Sequence, residues 1–278
     1  MRISALVHSR NEAAWIGDCL RSLQWADEIV LADMASTDAT REIATSLRAR
    51  IVEVPLADNV DKVRNQAIAS CTGDWILVVD ADERVSPGLA TRVAQLAAHP
   101  TADAYWVPRR NYFLGEWVEH LFWPDAQIRL FRRGAAAWDG IVHHHPAVTG
   151  KLEALPADPN TALEHPGFGS DINRFVTKIL RYSPLEVERL RQLGVDPIQN
   201  LLRRPLAEFA GRYFGGGYRH GGRGLALSLL LGVYQLLAGM YYWEATLASR
   251  SEVPPAKLRR RVVAESWRFA LKLLLRRH

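Results

Sequence analysis

The sequence predicts an α/β protein, with a mostly parallel sheet domain over residues 1–170 and a helical region over residues 171–278. Three observations carry this. Apolar runs of strand length alternate with helical stretches four times in about the first eighty residues, the pattern of a three-layer parallel sheet. From Asp171 onward strand signals give way to Leu- and Arg-rich stretches at helical spacing. Charge divides at the same place: residues 1–170 carry 16 Lys/Arg against 22 Asp/Glu, net −6, and residues 171–278 carry 19 against 8, net +11. An acidic front and a basic back imply different tasks.

A chain of 278 residues can bury a sizeable core. Cys19 and Cys71 give neither a metal spacing nor a disulfide framework, so a reducing compartment is expected. The first eleven residues hold only a five-residue apolar run, and no signal peptide is visible.

In order, Ile3 to Val7 reads as a strand, followed by Ser9-Arg10-Asn11-Glu12 and a helix to Leu23 with Ile16, Leu20 and Leu23 on its core face. Glu28 to Ala32 is a second strand, ending at Asp33. Asp38 and its neighbouring hydroxyls suit the start of the next helix. Arg50 to Val54 is a third strand and Lys62 to Ser70 a third helix. Trp75 to Val79 is a fourth strand, apolar throughout and so buried on both faces. It runs into Asp80-Ala81-Asp82-Glu83. Strand alternation would put Asp80 and Asp82 on one side of the chain, where both can face one hard cation; a surface turn is the other reading of such acids. A helix ends at His99-Pro100, and Ala104 to Pro108 and Ile128 to Arg132 read as further strands. Tyr112 to Trp123 between them reads as an aromatic loop, either core or an acceptor-facing wall.

The first, second and fourth strands each end in polar residues, which a parallel sheet gathers at one crevice. No GxGxxG follows the first strand and no P-loop lysine occurs, so the usual phosphate cradles are missing. The segments SALVHSRNE, WADEIVLADMASTDATREIA and RNQAIASCTGDWILVVDADE together resemble the family 2 glycosyltransferases, which have the GT-A fold. Within that family the small bacterial lipopolysaccharide-core glucosyltransferases are the most similar. The resemblance covers roughly the first 145 residues.

It implies the following roles. Asn11 and Glu12 line the ribose of a nucleotide sugar, and Asp33 accepts from a uracil ring. Arg64 lies near the base or diphosphate, with Asn65 supporting its loop. Asp80 contacts ribose or metal, and Asp82 ligates Mg²⁺ or Mn²⁺ bridging the diphosphate. Asp125, in Trp-Pro-Asp-Ala-Gln-Ile-Arg, is the general base of an inverting transfer, which needs one carboxylate to take the acceptor's proton; a loop acid that caps or salt-bridges Arg129 is the other reading. Gln127 and Arg129 touch acceptor or diphosphate, or are simply exposed strand residues. His143 matches the late histidine that completes metal binding in many such enzymes, and His144 stands where relatives have Glu. Zinc on the three adjacent histidines is disfavoured by the carboxylate and diphosphate setting. His165 reads as structural, and Glu83 as either a supporting or a solvent-facing acid.

In the back half, Phe175 to Leu193 is an amphipathic helix broken by Pro184, and the glycines of 215–224 mark a hinge. Leu225 to Trp243 runs nineteen residues without a charge, enough to reach the length of a membrane span. Basic residues flank it on both sides, which fits a helix in the interface, or one packed on a partner helix, better than a span. The last helix, from about Ala256, laces aliphatics with arginines, as surface-seeking helices on anionic lipid do; packing on the front domain is the other reading. No nucleic-acid module accompanies the basic residues.

The expectation is thus an inverting, metal-dependent hexosyltransferase, peripheral or monotopic at the cytoplasmic face of a bacterial inner membrane. Its partners are a nucleotide sugar, a lipid-linked saccharide and an anionic membrane surface, not nucleic acid, and a homo-oligomer is compatible. The alternatives are a silent UDP-binding scaffold and a membrane-surface adaptor.

Overall fold

In a computed structural model, residues 1–141, 144–247 and 253–275 are described, with side chains as far as Phe269. The chain forms two compact units, one from Met1 to Ser170 and one from Asp171 onward.

The first unit carries strands β1 (Ile3–Ser9), β2 (Glu28–Asp33), β3 (Arg50–Glu53), β4 (Trp75–Asp80), β5 (Arg84–Val85), β6 (Ala104–Val107), β7 (Arg109–Phe113), β8 (Glu116–Trp117), β9 (Gln127–Arg132), β10 (Ala136–Ala137), β11 (Ala147–Val148), β12 (Leu152–Ala154) and β13 (Leu163–Gly169). Between them lie α1 (Ile16–Arg21), α2 (Thr40–Ser46), α3 (Asp61–Ala69), α4 (Pro87–Ala98) and α5 (Glu119–Phe122). The main sheet has the order β12-β6-β9-β4-β1-β2-β3. It is parallel except where β9 pairs antiparallel with β4 and β6. This is the mixed α/β sheet of the GT-A fold. β1 and the apolar part of β4 are buried on both faces, because helices cover both. One apolar layer joins Leu20, Leu77 and Leu89; the other joins Leu6, Val63 and Val78.

A second sheet, β5-β13-β7-β8, holds the polar chemistry. β13 runs antiparallel to β5, which follows the acidic turn, and parallel to β7. That pairing sets residues 163–169 beside Asp82 and Glu83. The expected loop over Tyr112 to Trp123 is in part regular: β7 and β8 form a hairpin, and α5 follows. Leu114 with φ 49° and Gly115 with φ 80° make its tight turn, a conformation glycine adopts freely. Of its aromatics, Phe113 is wholly buried, while Trp117, Phe122 and Trp123 are half-buried.

The second unit is helical: α6 (Ile172–Tyr182), α7 (Glu186–Gln192), α8 (Pro197–Gly215), α9 (Gly221–Thr246) and α10 (Pro255–Leu275). Pro184 lies in a short 3₁₀ turn that ends α6 and starts α7, as a missing N–H requires. α9 has two unlike faces. Gly232 and Gly239 meet α8 closely enough that an added Cβ at Gly232 would lie 3.1 Å from the Pro205 carbonyl oxygen. On the other side Leu225, Leu229, Val233, Met240 and Trp243 are exposed at helical spacing. The stretch Gly217–Thr246 is long and apolar enough to cross a membrane. On α10, Val262, Val263 and Trp267 are exposed, and Glu265 pairs with Arg203 of α8 at 2.5 Å.

Candidate active site

The carboxyl ends of β1, β2 and β4 form one edge, as the parallel register dictates: Ser9 lies level with Asp33, and His8 with Asp80. Asn11 leaves β1 with φ 55°, a left-handed conformation that Asn tolerates better than most residues. Its Oδ1 accepts from the Thr37 N–H at 2.7 Å, so the loops after β1 and β2 are tied together. The Glu12 N–H donates to Thr40 Oγ1 at 2.9 Å, and Asp38 accepts from the Ala13 N–H at 3.0 Å. Asp38 therefore braces these loops, a structural role.

Asp33 is fully buried. Its Oδ2 accepts from the Ser36 N–H at 3.1 Å, with Arg41 3.6 Å away, whereas Oδ1 has no partner among the described residues. A buried, unmatched acceptor costs stability unless something donates to it. Arg64 on α3 is also buried; its Nε donates to Asp61 at 3.0 Å, and its guanidinium lies 5.1 Å from the Trp138 ring centre. Its Nη1 has no partner among the described residues. Asn65 exchanges two hydrogen bonds with the Trp138 backbone, at 2.8 and 2.9 Å, and so holds the loop that carries that ring. His8 is buried beneath this group. Burial, and after it the charge of Arg64, holds its pKa well below the usual value, which keeps the ring neutral.

Asp80 and Asp82 stand in different local settings. β4 ends at Asp80, and the Glu83 N–H closes a turn on the Asp80 carbonyl at 2.9 Å, so strand alternation stops before Asp82. Asp80 is gripped by Arg129, with Nη2 at 2.5 Å and Nη1 at 3.3 Å, and Arg64 lies 4.0 Å away. Burial opposes its charge, but Arg129 and then Arg64 outweigh it and hold the carboxyl well below the usual range. Arg129 is therefore a buried counter-ion of Asp80 and not an exposed strand residue. Glu83 is fully buried: it accepts from the Asp80 N–H at 2.9 Å, from Arg109 at 2.9 Å and from Arg129 at 3.3 Å. That settles it as a supporting acid.

Asp125 follows the cis Trp123–Pro124 bond, with φ 35°. Arg109 donates to its Oδ2 through Nε at 3.0 Å and Nη2 at 2.7 Å, and Asn111 Nδ2 donates at 2.6 Å. Gln127 opens β9 opposite Val107, half-buried. Asp82 meets His165, whose Nε2 lies 3.3 Å from Oδ1. His165, expected to be structural, is thus placed against Asp82. It comes from β13, whose pairing with β5 and β7 was not legible in the sequence. His165 Nδ1 lies 2.9 Å from Asn111 Oδ1. Arg109, Asn111 and His165 are the polar residues that sequence reasoning missed; their signal was only a strand-like spacing in Arg109-Arg110-Asn111.

The donor chemistry accommodates a cation. A carboxylate can only accept, so the Asn111 amide must point its NH₂ at Asp125 and its oxygen at His165. His165 then donates through Nδ1, which leaves Nε2, on the Asp82 side, as the nitrogen that can serve a cation. An oxygen and a nitrogen donor side by side suit Mn²⁺ or Mg²⁺ with further oxygen ligands. Among the described residues no three His, Cys, Asp or Glu side chains gather as a complete metal cage. His143 lies outside the described residues; His144 sits 3.0 Å from Asp139, and His145 packs edge-on to Trp106.

Residues 4–152 match the model of the glycosyl transferase family 2. The chain belongs to that family. Among similar proteins, an uncharacterized glycosyltransferase of Rickettsia bellii is 38% identical over 206 residues, covering 70% of each chain. The lipopolysaccharide core biosynthesis glycosyltransferase LpsC of Rhizobium meliloti is 27% identical over 268 residues, covering 91% of this chain and 97% of that one. A TPR repeat-containing protein of Synechococcus elongatus is 32% identical over 184 residues, 61% of this chain, and the match spans only 43% of its own length.

Proposed function

We propose that this family 2 enzyme is an inverting, cation-dependent transferase. It moves a hexose from a nucleotide sugar, a UDP-hexose, to a hydroxyl of a lipid-linked saccharide such as lipopolysaccharide core or a polyprenyl-linked glycan. The observation that carries the reading is the pairing of Asp82 with His165 at 3.3 Å, linked through Asn111 to Asp125.

In this reading the unmatched Asp33 Oδ1 accepts from the uracil ring N–H, and Asn11 and Glu12 border the ribose. The free Nη1 of Arg64 faces the base or diphosphate, while Asp80 shapes the floor through Arg129. Asp82 and His165, with His143 as a further candidate, would hold Mn²⁺ or Mg²⁺, which would supply positive charge to the departing diphosphate. Donors already in place need no reorganisation as that charge develops. Asp125 takes the proton of the acceptor hydroxyl as its oxygen attacks the anomeric carbon from the face opposite the nucleotide. Among the described residues, Arg109 and Asn111 hold the Asp125 carboxylate through Oδ2. That leaves Oδ1 for the substrate.

A lipid-linked acceptor is supported by the second unit. The exposed apolar stripe of α9, flanked by Arg219 and Arg223, and the exposed Val262, Val263 and Trp267 among the arginines of α10 supply the two signals that stable surface anchoring needs. The membrane in question is the anionic cytoplasmic face of a bacterial inner membrane.

Calorimetric titration with UDP, with and without Mn²⁺, tests the site. Cation-dependent binding is expected; negligible binding in both would refute the reading. A protein that binds UDP with Mn²⁺ but neither hydrolyses nor transfers from any donor would instead be a silent scaffold.

A further inference from the structure

Resting on that reading of the site, we propose that Asn111 is a positioning residue that joins the cation pair to the base, so that Asp82–His165 and Asp125 are set as one unit. The residue stands on β7, is 1% exposed, and has both ends of its amide engaged. Nδ2 donates to Asp125 at 2.6 Å and Oδ1 meets His165 Nδ1 at 2.9 Å. Its two neighbours ask for opposite things. The carboxylate requires a donor, and the imidazole must keep one nitrogen as an acceptor for a cation beside Asp82. An amide is the small side chain that gives a donor and an acceptor in fixed opposition. It therefore selects the Nδ1–H tautomer of His165 while orienting Asp125. Asn111 thus links Asp125 to Asp82 through the single intervening His165, whereas Arg109 connects Asp125 to Glu83.

The device matters because the two carboxylates arrive from remote stretches, the turn after β4 and the loop before β9. Outer partners of a metal-binding histidine that fix its tautomer typically change metal affinity 10–100-fold when lost. Misplacing a reacting group by about 1 Å costs on the order of 10²-fold in rate. Asn111 combines both effects in one residue.

Two variants separate its halves. Asn111→Leu keeps the branched shape, is somewhat larger and makes no hydrogen bonds. Asn111→Asp keeps the acceptor facing His165 and loses the donor facing Asp125. Mn²⁺ affinity in the presence of UDP is read by calorimetry, transfer by kcat and KM, and folding by circular dichroism. Asn111→Leu should lose about tenfold or more in Mn²⁺ affinity and on the order of 10²-fold in kcat. Asn111→Asp should keep Mn²⁺ affinity within about threefold while kcat falls as far, with acceptor KM little changed. A folded Asn111→Leu with wild-type Mn²⁺ affinity and kcat would overturn the proposal. So would an Asn111→Asp that loses Mn²⁺ affinity while keeping kcat. If Asn111→Leu does not fold, Asn111→Asp decides by itself. Wild-type protein without cation-dependent UDP binding would bring down the functional reading and this inference together; normal wild-type binding with unchanged variants would bring down this inference alone.

Discussion

Gly167 offers a way to move Asp82 without touching its chemistry. On β13 its N–H approaches the Asp82 carbonyl at 3.3 Å, and an added Cβ would lie 2.3 Å from Asp82 Cβ, 2.6 Å from Oδ2 and 2.8 Å from Cγ. Non-bonded carbons rest about 3.5–4.0 Å apart, so Gly167→Ala must displace the Asp82 side chain or the β13 backbone by roughly 1 Å or more. Overpacking of this kind costs about 1–3 kcal/mol, and a displacement of that size at a reacting centre costs on the order of 10²-fold in rate. We expect a folded protein with a melting temperature lowered by several degrees, UDP affinity without cation unchanged, and Mn²⁺-dependent UDP binding reduced about tenfold or more. Calorimetric titration with paired thermal melts measures all three. Wild-type Mn²⁺ dependence and turnover in Gly167→Ala would show that Asp82 is not the cation-facing acid.

Other expectations follow from single contacts. Asp125→Asn should leave UDP affinity within a few fold and cut turnover roughly 10²–10⁴-fold in a transfer assay; lost binding with surviving turnover would move the base elsewhere. Asp33→Leu removes the buried acceptor and should weaken UDP binding by about 1–3 kcal/mol, with a smaller effect on a diphosphate lacking the base. Glu28, held by Ser4, Thr72 and Arg50, has its pKa lowered to about 2 although burial opposes this. Its charged form therefore stabilises the fold. That contribution, on the order of 3 kcal/mol, is complete above about pH 4.5 and is lost as pH falls toward 2, so Glu28→Gln should be less stable at neutral pH by denaturant titration and converge with wild type in acid. Removing residues 256–278 should weaken binding to anionic vesicles in a flotation assay, and salt should weaken it in the intact protein; salt-independent binding would argue against the basic helix.

The main sheet was legible because its signals are local. β1, β2 and β4 are short apolar runs ending in polar residues, and burial on both faces leaves little choice of residue. Asp33, Asp80 and Asp82 were visible as strand-end acids for the same reason. The second sheet was not legible. β13 reads Leu-Glu-His-Pro-Gly-Phe-Gly, with a proline and two glycines against strand propensity, and its partners are 54 and more residues away. The contact of His165 with Asp82 depends on that pairing and so had no local signal. At Asp82 a turn has replaced the strand, and a period-2 argument applies only while the strand continues. Arg129 was open to a reading as an exposed strand residue because its local sequence says nothing of the Asp80 and Glu83 carboxylates that meet it in the interior.

The arrangement around Glu83 bears on how such a site can change over generations. Two guanidiniums, Arg109 and Arg129, are interleaved with three carboxylates, Asp80, Glu83 and Asp125, and Glu83 itself is fully buried. Removing one member strands its neighbour's charge away from water, typically at about 3–5 kcal/mol, a large part of a domain's net stability. Single substitutions there should sit in a deep fitness valley, whereas coordinated pairs, such as a neutral residue at both Glu83 and Arg129, cross it. A deep mutational scan that samples only single changes would therefore score all five positions as invariant. New acceptor preferences should arise instead from half-buried neighbours that carry no charge, such as Trp117, Phe122 and Trp123, where a change alters shape and leaves no ion unpaired.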